Sequence, residues 1–161
     1  MERAADLLKT PASELEGRVE KLLEERRSLE RELESLRAEQ RKAASGDLAS
    51  QAETIGDVKL LAAKVDGVGG DGLRAMVDEL RDRLKSGIVL LAAEADGRVT
   101  LALGVTPDLK DRFKAGDLIR DAAAAVGGKG GGRPDFAQAG GRDPAKIDEA
   151  FAIVRERVRS A

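Results

Sequence analysis

The residues best suited to chemistry lie in one glycine-rich stretch, residues 127–141, which reads GGKGGGRPDFAQAGG. It holds seven of the chain's 18 glycines, so its backbone can reach positive φ and approach another molecule closely. Lys129 and Arg133 are cations within it, and Gln138 is an amide that can donate or accept hydrogen bonds. Exposed N–H groups beside fixed cations suit a phosphate or a sugar–phosphate backbone. The stretch has no apolar period, which predicts neither helix nor strand.

A flexible linker is the alternative interpretation of this stretch, because glycine-rich segments commonly form linkers. Pro134 and Phe136 argue against it, since they stiffen the segment, and a predicted helix follows directly. Asp143 is expected to cap that helix, which leaves a net cationic site beside a helix N-terminus. The predicted nucleic-acid-binding residues are Gly128, Lys129, Gly130, Gly131, Gly132, Arg133, Gln138, Arg142 and Lys146.

The string GGKGGGRPDFAQAGG resembles the signature of the C-terminal domain of alanyl-tRNA synthetases, a domain of the DHHA1 group. A second stretch, residues 7–36, reads LLKTPASELEGRVEKLLEERRSLERELESL. It is similar to the helical segment that precedes this domain in the same enzymes. The two stretches lie toward opposite ends of the chain, and the residues between them have a compatible pattern.

The resemblance implies a non-catalytic C-terminal part of an alanine–tRNA ligase that contacts the outer corner of alanine tRNA. It also implies a role in dimerisation or in connecting the aminoacylation and editing domains. No cofactor is expected in this chain, because ATP and Mg²⁺ serve the parent enzyme and the editing zinc site lies outside it. Two alternatives stay open: a structural coiled-coil module, and the substrate-binding half of a DHH-type phosphoesterase. A complete phosphoesterase would need an Asp-His-His motif, which a chain without histidine cannot supply.

Composition limits the chemistry further. The 161 residues include no His and no Cys, which excludes ordinary zinc ligation and His- or Cys-based catalysis. Only 2% of residues are aromatic and the net charge is −2, so RNA binding would depend on a local cationic patch without base stacking. No apolar run reaches membrane-spanning length, and Met1–Thr10 does not resemble a signal peptide, so a cytoplasmic protein is expected.

The N-terminal region carries a heptad repeat with Leu at every d position and mixed residues at a, including Ala12, Arg26 and Gln40. This pattern predicts one helix from about residue 12 to residue 44, paired through Leu8, Leu15, Val19, Leu22, Leu29, Leu33 and Leu36. A homodimer through this helix is expected. The alternatives are a helix folded back on the same chain and a helix paired with another segment of a longer parent protein. Residues 44–47 are predicted to end the helix, and a boundary at Gly46 divides a helical segment, 1–46, from a globular domain, 47–161.

The globular part has the pattern of an α/β fold, a small helix-covered sheet. Strands are predicted at 58–65, 88–93 and 99–105, the last two joined by an Asp96-Gly97 turn of type I′. A helix with an apolar face is predicted before Gly87. Three further helices are predicted: a short one after Thr106 to about Lys114, one over 118–126 capped by Asp117, and a last one with a core face of Ile147, Ala150, Phe151, Val154 and Val158.

Overall fold

The computed structural model describes residues 7–161, with the side chains of Ala12 and of residues 41–44 excepted. A short 3-10 turn leads into α1, Leu15–Ala49. Residue contacts divide the chain between Gln40 and Arg41, shortly before the predicted boundary at Gly46.

The predicted end of the first helix is wrong, because α1 continues through residues 44–47. Ser45 is fully buried and its hydroxyl lies 3.3 Å from the carboxylate of Glu79. Leu48 and Ala49 pack against one of the two apolar clusters of the globular unit. Tertiary burial therefore keeps residues helical where glycine propensity favours a stop.

The globular unit is built on a six-stranded mixed sheet, which confirms the predicted α/β class. Its strands are β1 Glu53–Ile55, β2 Val58–Val65, β3 Ile88–Ala95, β4 Arg98–Val105, β5 Lys129–Gly132 and β6 Phe136–Gly141. Their order across the sheet is β1-β2-β3-β4-β6-β5. Only β2 and β3 run parallel; all other neighbours are antiparallel. β5 is thus an edge strand.

Helices cover both faces of the sheet. On one face lies α2, Gly70–Leu84; on the other lie α3, Ala115–Ala125, and α4, Ile147–Arg159. The predicted core faces are confirmed by burial of Leu73, Met76, Val77 and Leu80 on α2, and of Ile147, Ala150, Phe151, Val154 and Val158 on α4. Within the described residues, no helix is both long and apolar enough to cross a membrane.

The hairpin between β3 and β4 turns at Asp96 and Gly97, which have φ values of 51° and 71°. Positive φ at both positions is the requirement of a type I′ turn, and the prediction is confirmed. The hairpin pairs Ala95 with Arg98, so Arg98 stands at its tip.

The short helix predicted directly after Thr106 does not form, so that prediction is wrong. Residues 107–112 instead form hydrogen-bonded turns. The hydroxyl of Thr106 accepts the N–H of Gly87 at 3.0 Å and so does not cap a helix. The hydroxyl of Ser86 donates to the Asp108 carboxylate at 2.6 Å. This bond, with a second from Thr106, holds the pKa of Asp108 below its ordinary value. The two side chains expected to start a helix instead fasten the turn to the preceding loop.

Neither of the two remaining predicted N-caps, Asp117 and Asp143, caps its α-helix, although Asp143 stands at the N-cap position of a 3-10 turn with Pro144 following it. α3 begins at Ala115, with Lys114 at the N-cap position, and Asp117 lies inside its first turn. Asp143 makes no side-chain capping bond, and a 3-10 turn, Pro144–Lys146, separates it from α4. An acidic side chain within the first turn already interacts favourably with the helix dipole, so it need not occupy the cap itself.

Candidate nucleic-acid interface

The glycine-rich stretch is a β-hairpin and not the irregular segment its pattern predicts. Gly127, with φ of 65°, ends α3 as the predicted C′ residue, and the N–H of Gly128 donates to the Ala123 carbonyl at 2.8 Å. β5 then pairs antiparallel with β6. Periodicity missed β5 because it is mostly glycine and offers no side chains that could alternate, and it missed β6 because its last two residues are also glycine.

Most glycines of the hairpin are required by close backbone approach. A Cβ on Gly132 would lie 2.5 Å from the Phe136 carbonyl oxygen, and a Cβ on Gly128 would collide with the carbonyl of Gly140. A Cβ on Gly141 would meet Val126, the residue that follows α3. These positions are glycine because the fold leaves no space for a side chain.

Two glycines have no such constraint. A Cβ on Gly131 would have nothing within 4 Å, and one on Gly140 would meet only the Val99 carbonyl oxygen at 3.9 Å. Neither has a positive φ, and both are exposed. The register pairs Gly131 with Gln138 and Gly140 with Lys129, so all four residues share the sheet face on which α2 packs. At Gly131 and Gly140 this face therefore presents backbone without a side chain.

The predicted cations of the stretch lie at opposite ends of β5. Lys129 and Arg133 are four residues apart along an extended strand, or about 13 Å. The guanidinium of Arg133 makes an ion pair with the carboxylate of Asp135 at 3.2 Å. Lys129 is exposed and makes no ion pair within the described part of the chain. The structure therefore divides the predicted site, and the two ends differ in available charge.

An open cleft of about 850 Å³ lies at the Lys129 end. Its walls are the β3–β4 hairpin tip, the start of β5 and the end of β6, and three cations line it: Arg98, Lys129 and Arg142. We call these three residues the cationic cluster. All are exposed, and none is in an ion pair among residues 7–161 with described side chains. Asp96 is the one acidic residue of the lining, so the cleft carries a net positive charge.

Sheet topology brings the cationic cluster together. β4 lies beside β6, with Val99 opposite Gly141, so Arg98 and Arg142 are adjacent at the same end of the two strands. Lys129 pairs with Gly140 on the far side of β6. Sequence reasoning found Lys129 and Arg142 but missed Arg98. The predicted Asp96-Gly97 turn did place Arg98 at a hairpin tip. The sequence did not show which strand lies beside that tip, so it did not connect Arg98 with Arg142.

The other two predicted residues are engaged elsewhere. The amide nitrogen of Gln138 donates to the carbonyl of Gly70 at 3.1 Å and so joins β6 to the start of α2. Lys146 lies in the turn before α4, 3.9 Å from the carboxylate of Glu149, and does not line the cleft. Gln138 therefore has a positioning role in this arrangement, and Lys146 lies outside the cationic cluster.

Arg81 on α2 holds the opposite end of the hairpin in place. Its guanidinium donates to the carbonyl of Asp135 at 2.9 Å and to that of Val105 at 3.3 Å, and it pairs with Asp78 at 2.6 Å. One partly buried side chain thus links α2, β4 and the β5–β6 turn. Sequence reasoning missed this residue, because an arginine on a helix commonly faces solvent.

Metal binding has no support among the described residues, which contain no group of three or more acidic, His or Cys side chains placed to hold an ion. The phenylalanines do not form a stacking platform either. Phe113, Phe136 and Phe151, which are all the aromatic residues of the chain, are buried. This surface can therefore bind a ligand through its positive charges and its exposed backbone.

The DHHA1 domain family matches this chain over residues 57–160. The alanine–tRNA ligase of Chromohalobacter salexigens is 47% identical over 152 residues, which are 94% of this chain and 18% of the relative. That of Anaeromyxobacter dehalogenans is 49% identical over 156 residues, 97% of this chain and 17% of the relative. The chain thus spans less than a fifth of the length of these curated relatives.

Solved structures agree with these matches. The C-Ala domain of Aquifex aeolicus alanyl-tRNA synthetase is 32% identical, with a TM-score of 0.65; the match covers 67% of this chain and 97% of that domain. RecJ from Thermus thermophilus has a TM-score of 0.60 over 94% of this chain and 21% of its own length. At 19% identity, this second likeness shows a shared fold alone.

Proposed function

The chain belongs to the DHHA1 domain family and corresponds to the C-terminal region of alanyl-tRNA synthetases, and on this basis we propose that it is a non-catalytic part of an alanine–tRNA ligase that binds tRNA. The observation that supports RNA contact is the cationic cluster around an open cleft, in a chain whose net charge is −2. A local excess of unpaired cations on an otherwise acidic protein has no evident structural use.

Phosphates are the ligand that fits this cleft. Arginine and lysine side chains neutralise phosphates, and each such contact releases counterions from the nucleic acid. The exposed backbone at Gly140 allows a ligand to approach the sheet closely, because no side chain stands in front of it. Contacts of this kind position a protein on RNA and carry little base specificity. We therefore expect recognition of the shape and backbone of tRNA.

The lack of exposed aromatic side chains favours binding of folded RNA over binding of single-stranded RNA. Single-stranded RNA is commonly bound by stacking of bases on aromatic rings, and all three phenylalanines of this chain are buried. The outer corner of a tRNA instead presents a compact surface of phosphates, which three cations at one end of a sheet can contact together.

The N-terminal helix serves association in this proposal. Leu29, Leu33 and Leu36 on α1 are 64%, 49% and 52% exposed, although leucine at regular heptad spacing is characteristic of a paired helix. We propose that α1 dimerises the chain and connects the tRNA-binding domain to the rest of the ligase.

A salt titration of tRNA binding tests the RNA proposal. Alanine tRNA is the ligand, and an unrelated tRNA and a plain RNA duplex are competitors. We expect Lys129→Ala and Arg142→Ala each to lower the slope of log affinity against log salt by about one unit, as loss of one phosphate contact does. Arg133→Ala should change it less, because Asp135 already neutralises that guanidinium.

The matched control is Arg159→Ala, which removes an exposed cation at the end of α4, paired with Glu156 at 3.3 Å. Its slope should equal that of the unmodified chain. If Lys129→Ala and Arg142→Ala also leave the slope unchanged, the cleft is not the RNA site. If the unmodified chain does not bind tRNA even at low salt, the RNA proposal itself is wrong.

A further inference from the structure

α1 carries an apolar seam that is exposed in the single chain. Val19 is 41% exposed, and the leucines toward the C-terminal end of the seam are about half exposed or more. Surface leucines that recur at heptad spacing over several turns predict a covering helix. We call this surface the leucine seam; it consists of Leu15, Val19, Leu22, Leu29, Leu33 and Leu36.

We propose that a second copy of this chain covers the leucine seam in antiparallel orientation, with Val19 facing Leu36 of the partner subunit and Leu22 facing Leu33 of the partner subunit. The inference rests on the dimer proposed above and adds its orientation and register. Two features of α1 favour this arrangement: the arginine within the seam, and the charges along its flanks.

Arg26 occupies the a position at the middle of the seam. In a parallel pair, a positions face each other, so two Arg26 side chains would meet at the centre, where like charges are costly. In an antiparallel pair, an a residue faces a d residue, which places Arg26 beside Leu29 of the partner subunit. In the single chain its guanidinium already reaches the flank and pairs with Glu30 at 3.2 Å, so its aliphatic stem remains available to the seam.

The flanking charges of a parallel pair give no net attraction. There each g residue meets the following e residue of the partner. Glu32 would attract Arg37 of the partner subunit, but Glu25 would repel Glu30 of the partner subunit. These contributions oppose each other, and the contact between the two Arg26 residues is left uncompensated.

The antiparallel pair has a favourable balance. There g residues meet g residues and e residues meet e residues, and every contact occurs twice because of the two-fold axis. Two of the contacts are attractive and one is repulsive. With the partner residue second, they are Glu16–Arg37, Arg18–Glu39 and Glu25–Glu32.

The same charges select the register. Sliding the helices by one heptad in one direction brings Glu30 against Glu30 of the partner subunit and Glu32 against Glu32 of the partner subunit. Sliding by one heptad in the other direction keeps one attractive contact, Arg18 with Glu32 of the partner subunit. It also brings Glu16 against Glu30 of the partner subunit and Glu25 against Glu25 of the partner subunit. Each shift leaves fewer attractive than repulsive contacts and shortens the overlap of the leucine seam, so the proposed register is the most favourable of the three.

Disulfide cross-linking tests orientation directly, because the chain has no cysteine of its own. Val19→Cys and Leu36→Cys chains, one carrying a mass tag, are oxidised separately and as a mixture. We expect a cross-link only in the mixture, since the two copies of residue 36 would lie about 25 Å apart and a disulfide requires a Cα separation of about 4.4–6.8 Å. Glu24→Cys, on the outer face of α1, is the control for random collision and should not cross-link.

A charge reversal tests the same register without cysteine. Arg37→Glu should weaken the dimer about threefold to tenfold by setting two glutamates together at each e–e contact, and adding Glu16→Arg should restore it. In a parallel pair the second change would not restore the dimer, because Arg37 would meet Glu32 there. Dissociation constants from sedimentation equilibrium give the comparison, and circular dichroism confirms the helix in each variant.

The outcomes separate this inference from the proposed dimer. A chain that is monomeric at micromolar concentration refutes both. A dimer in which Leu36→Cys alone cross-links efficiently, or in which Glu16→Arg fails to restore the Arg37→Glu dimer, refutes the antiparallel register and leaves the dimer standing. A dimer that forms no cross-link in the mixture also refutes the register.

Discussion

Replacing Gly140 with alanine tests whether an open glycine of the cleft serves a ligand or the fold. The added methyl group would meet only the Val99 carbonyl oxygen, at an ordinary contact distance of 3.9 Å. Gly140 has no positive φ, so alanine fits without backbone strain. Because alanine also restricts the unfolded chain, we expect the free energy of unfolding to stay constant or to rise by up to about 1 kcal/mol.

Binding should respond in the opposite direction. A methyl group at Gly140 projects into the cleft beside Lys129 and keeps a phosphate from the sheet. Moving a phosphate outward by the size of a methyl group would weaken its contacts with the cations without removing any of them, and a weakening of about 1.5–3 kcal/mol would lower affinity for tRNA about tenfold to a hundredfold. The salt slope should not change, because no charge has been removed. Lost affinity with an unchanged slope distinguishes a steric effect from the loss of a cation.

Gly141→Ala is the matched control, since the neighbouring residue faces the other side of the sheet. Its Cβ would lie 2.6 Å from the Val126 carbonyl oxygen and would also meet that residue's side chain. Overpacking of this kind costs about 1–3 kcal/mol, so the midpoint of thermal unfolding should fall by about 2–12 °C. The measurements are urea unfolding, thermal unfolding and tRNA binding by filter retention. If Gly140→Ala binds tRNA like the unmodified chain, the open backbone is not a ligand contact and the argument from bare glycine is refuted.

Three further predictions concern residues that sequence reasoning missed or misplaced. Arg98→Ala should lower the salt slope of tRNA binding by about one unit while urea unfolding stays unchanged, because the side chain is exposed and in no ion pair among the described residues. Arg81→Ala should destabilise the chain by about 2–4 kcal/mol in urea unfolding, since two backbone carbonyls lose a charged donor, that of Asp135 among them. Ser86→Ala should make stability less dependent on pH below about pH 4, because it removes the main bond that lowers the pKa of Asp108.

The sign of the pH effect follows from linkage. The folded state holds Asp108 at a lowered pKa, so the unfolded state takes up a proton first as the pH falls. The stabilisation is present above about pH 4 and is lost as the pH falls through the folded pKa. Equal acid dependence in Ser86→Ala and the unmodified chain would contradict this account. For Arg81, the control is Arg83→Ala, whose exposed pair with Glu79 should matter by less than about 1 kcal/mol.

The core of the fold could be predicted because its signals are local. The run at 88–93 is continuous and apolar, and the run at 58–65 is apolar except for the exposed Lys59 and Lys64. Such runs are typical of strands covered on both faces, and both became interior strands of the sheet. The Asp96-Gly97 turn could be predicted from the sequence because few residue pairs tolerate two positive φ values. Helix boundaries were predicted less well. At Thr106 and Ser45, a partner distant in sequence determined the local structure, and no local pattern records such a partner.

The sequence predicted which residue types form the candidate site, but not where in the fold they come together. The pattern identified residues 127–141 as glycine-rich and cationic, but not as a hairpin, because alternation cannot be seen where side chains are absent. Arg98 joins Arg142 only because β4 pairs with β6, a contact between residues about forty positions apart. Antiparallel neighbours distant in sequence leave no periodic signal, so the cationic cluster required the sheet order to be known.

Glycine therefore occurs in this stretch for two different structural reasons, and only the three-dimensional structure distinguishes them. Gly128, Gly132 and Gly141 are glycine because a Cβ would collide with the fold, whereas Gly131 and Gly140 have space for one. For an open, non-strained strand position, alanine would stabilise the chain slightly. Gly140 lies on an exposed face beside unpaired cations and lacks this stabilisation. A ligand that approaches the backbone is the most direct explanation for a glycine there. Of the two open glycines, only Gly140 lines the cleft, and it and the cationic cluster point independently to the same end of the sheet.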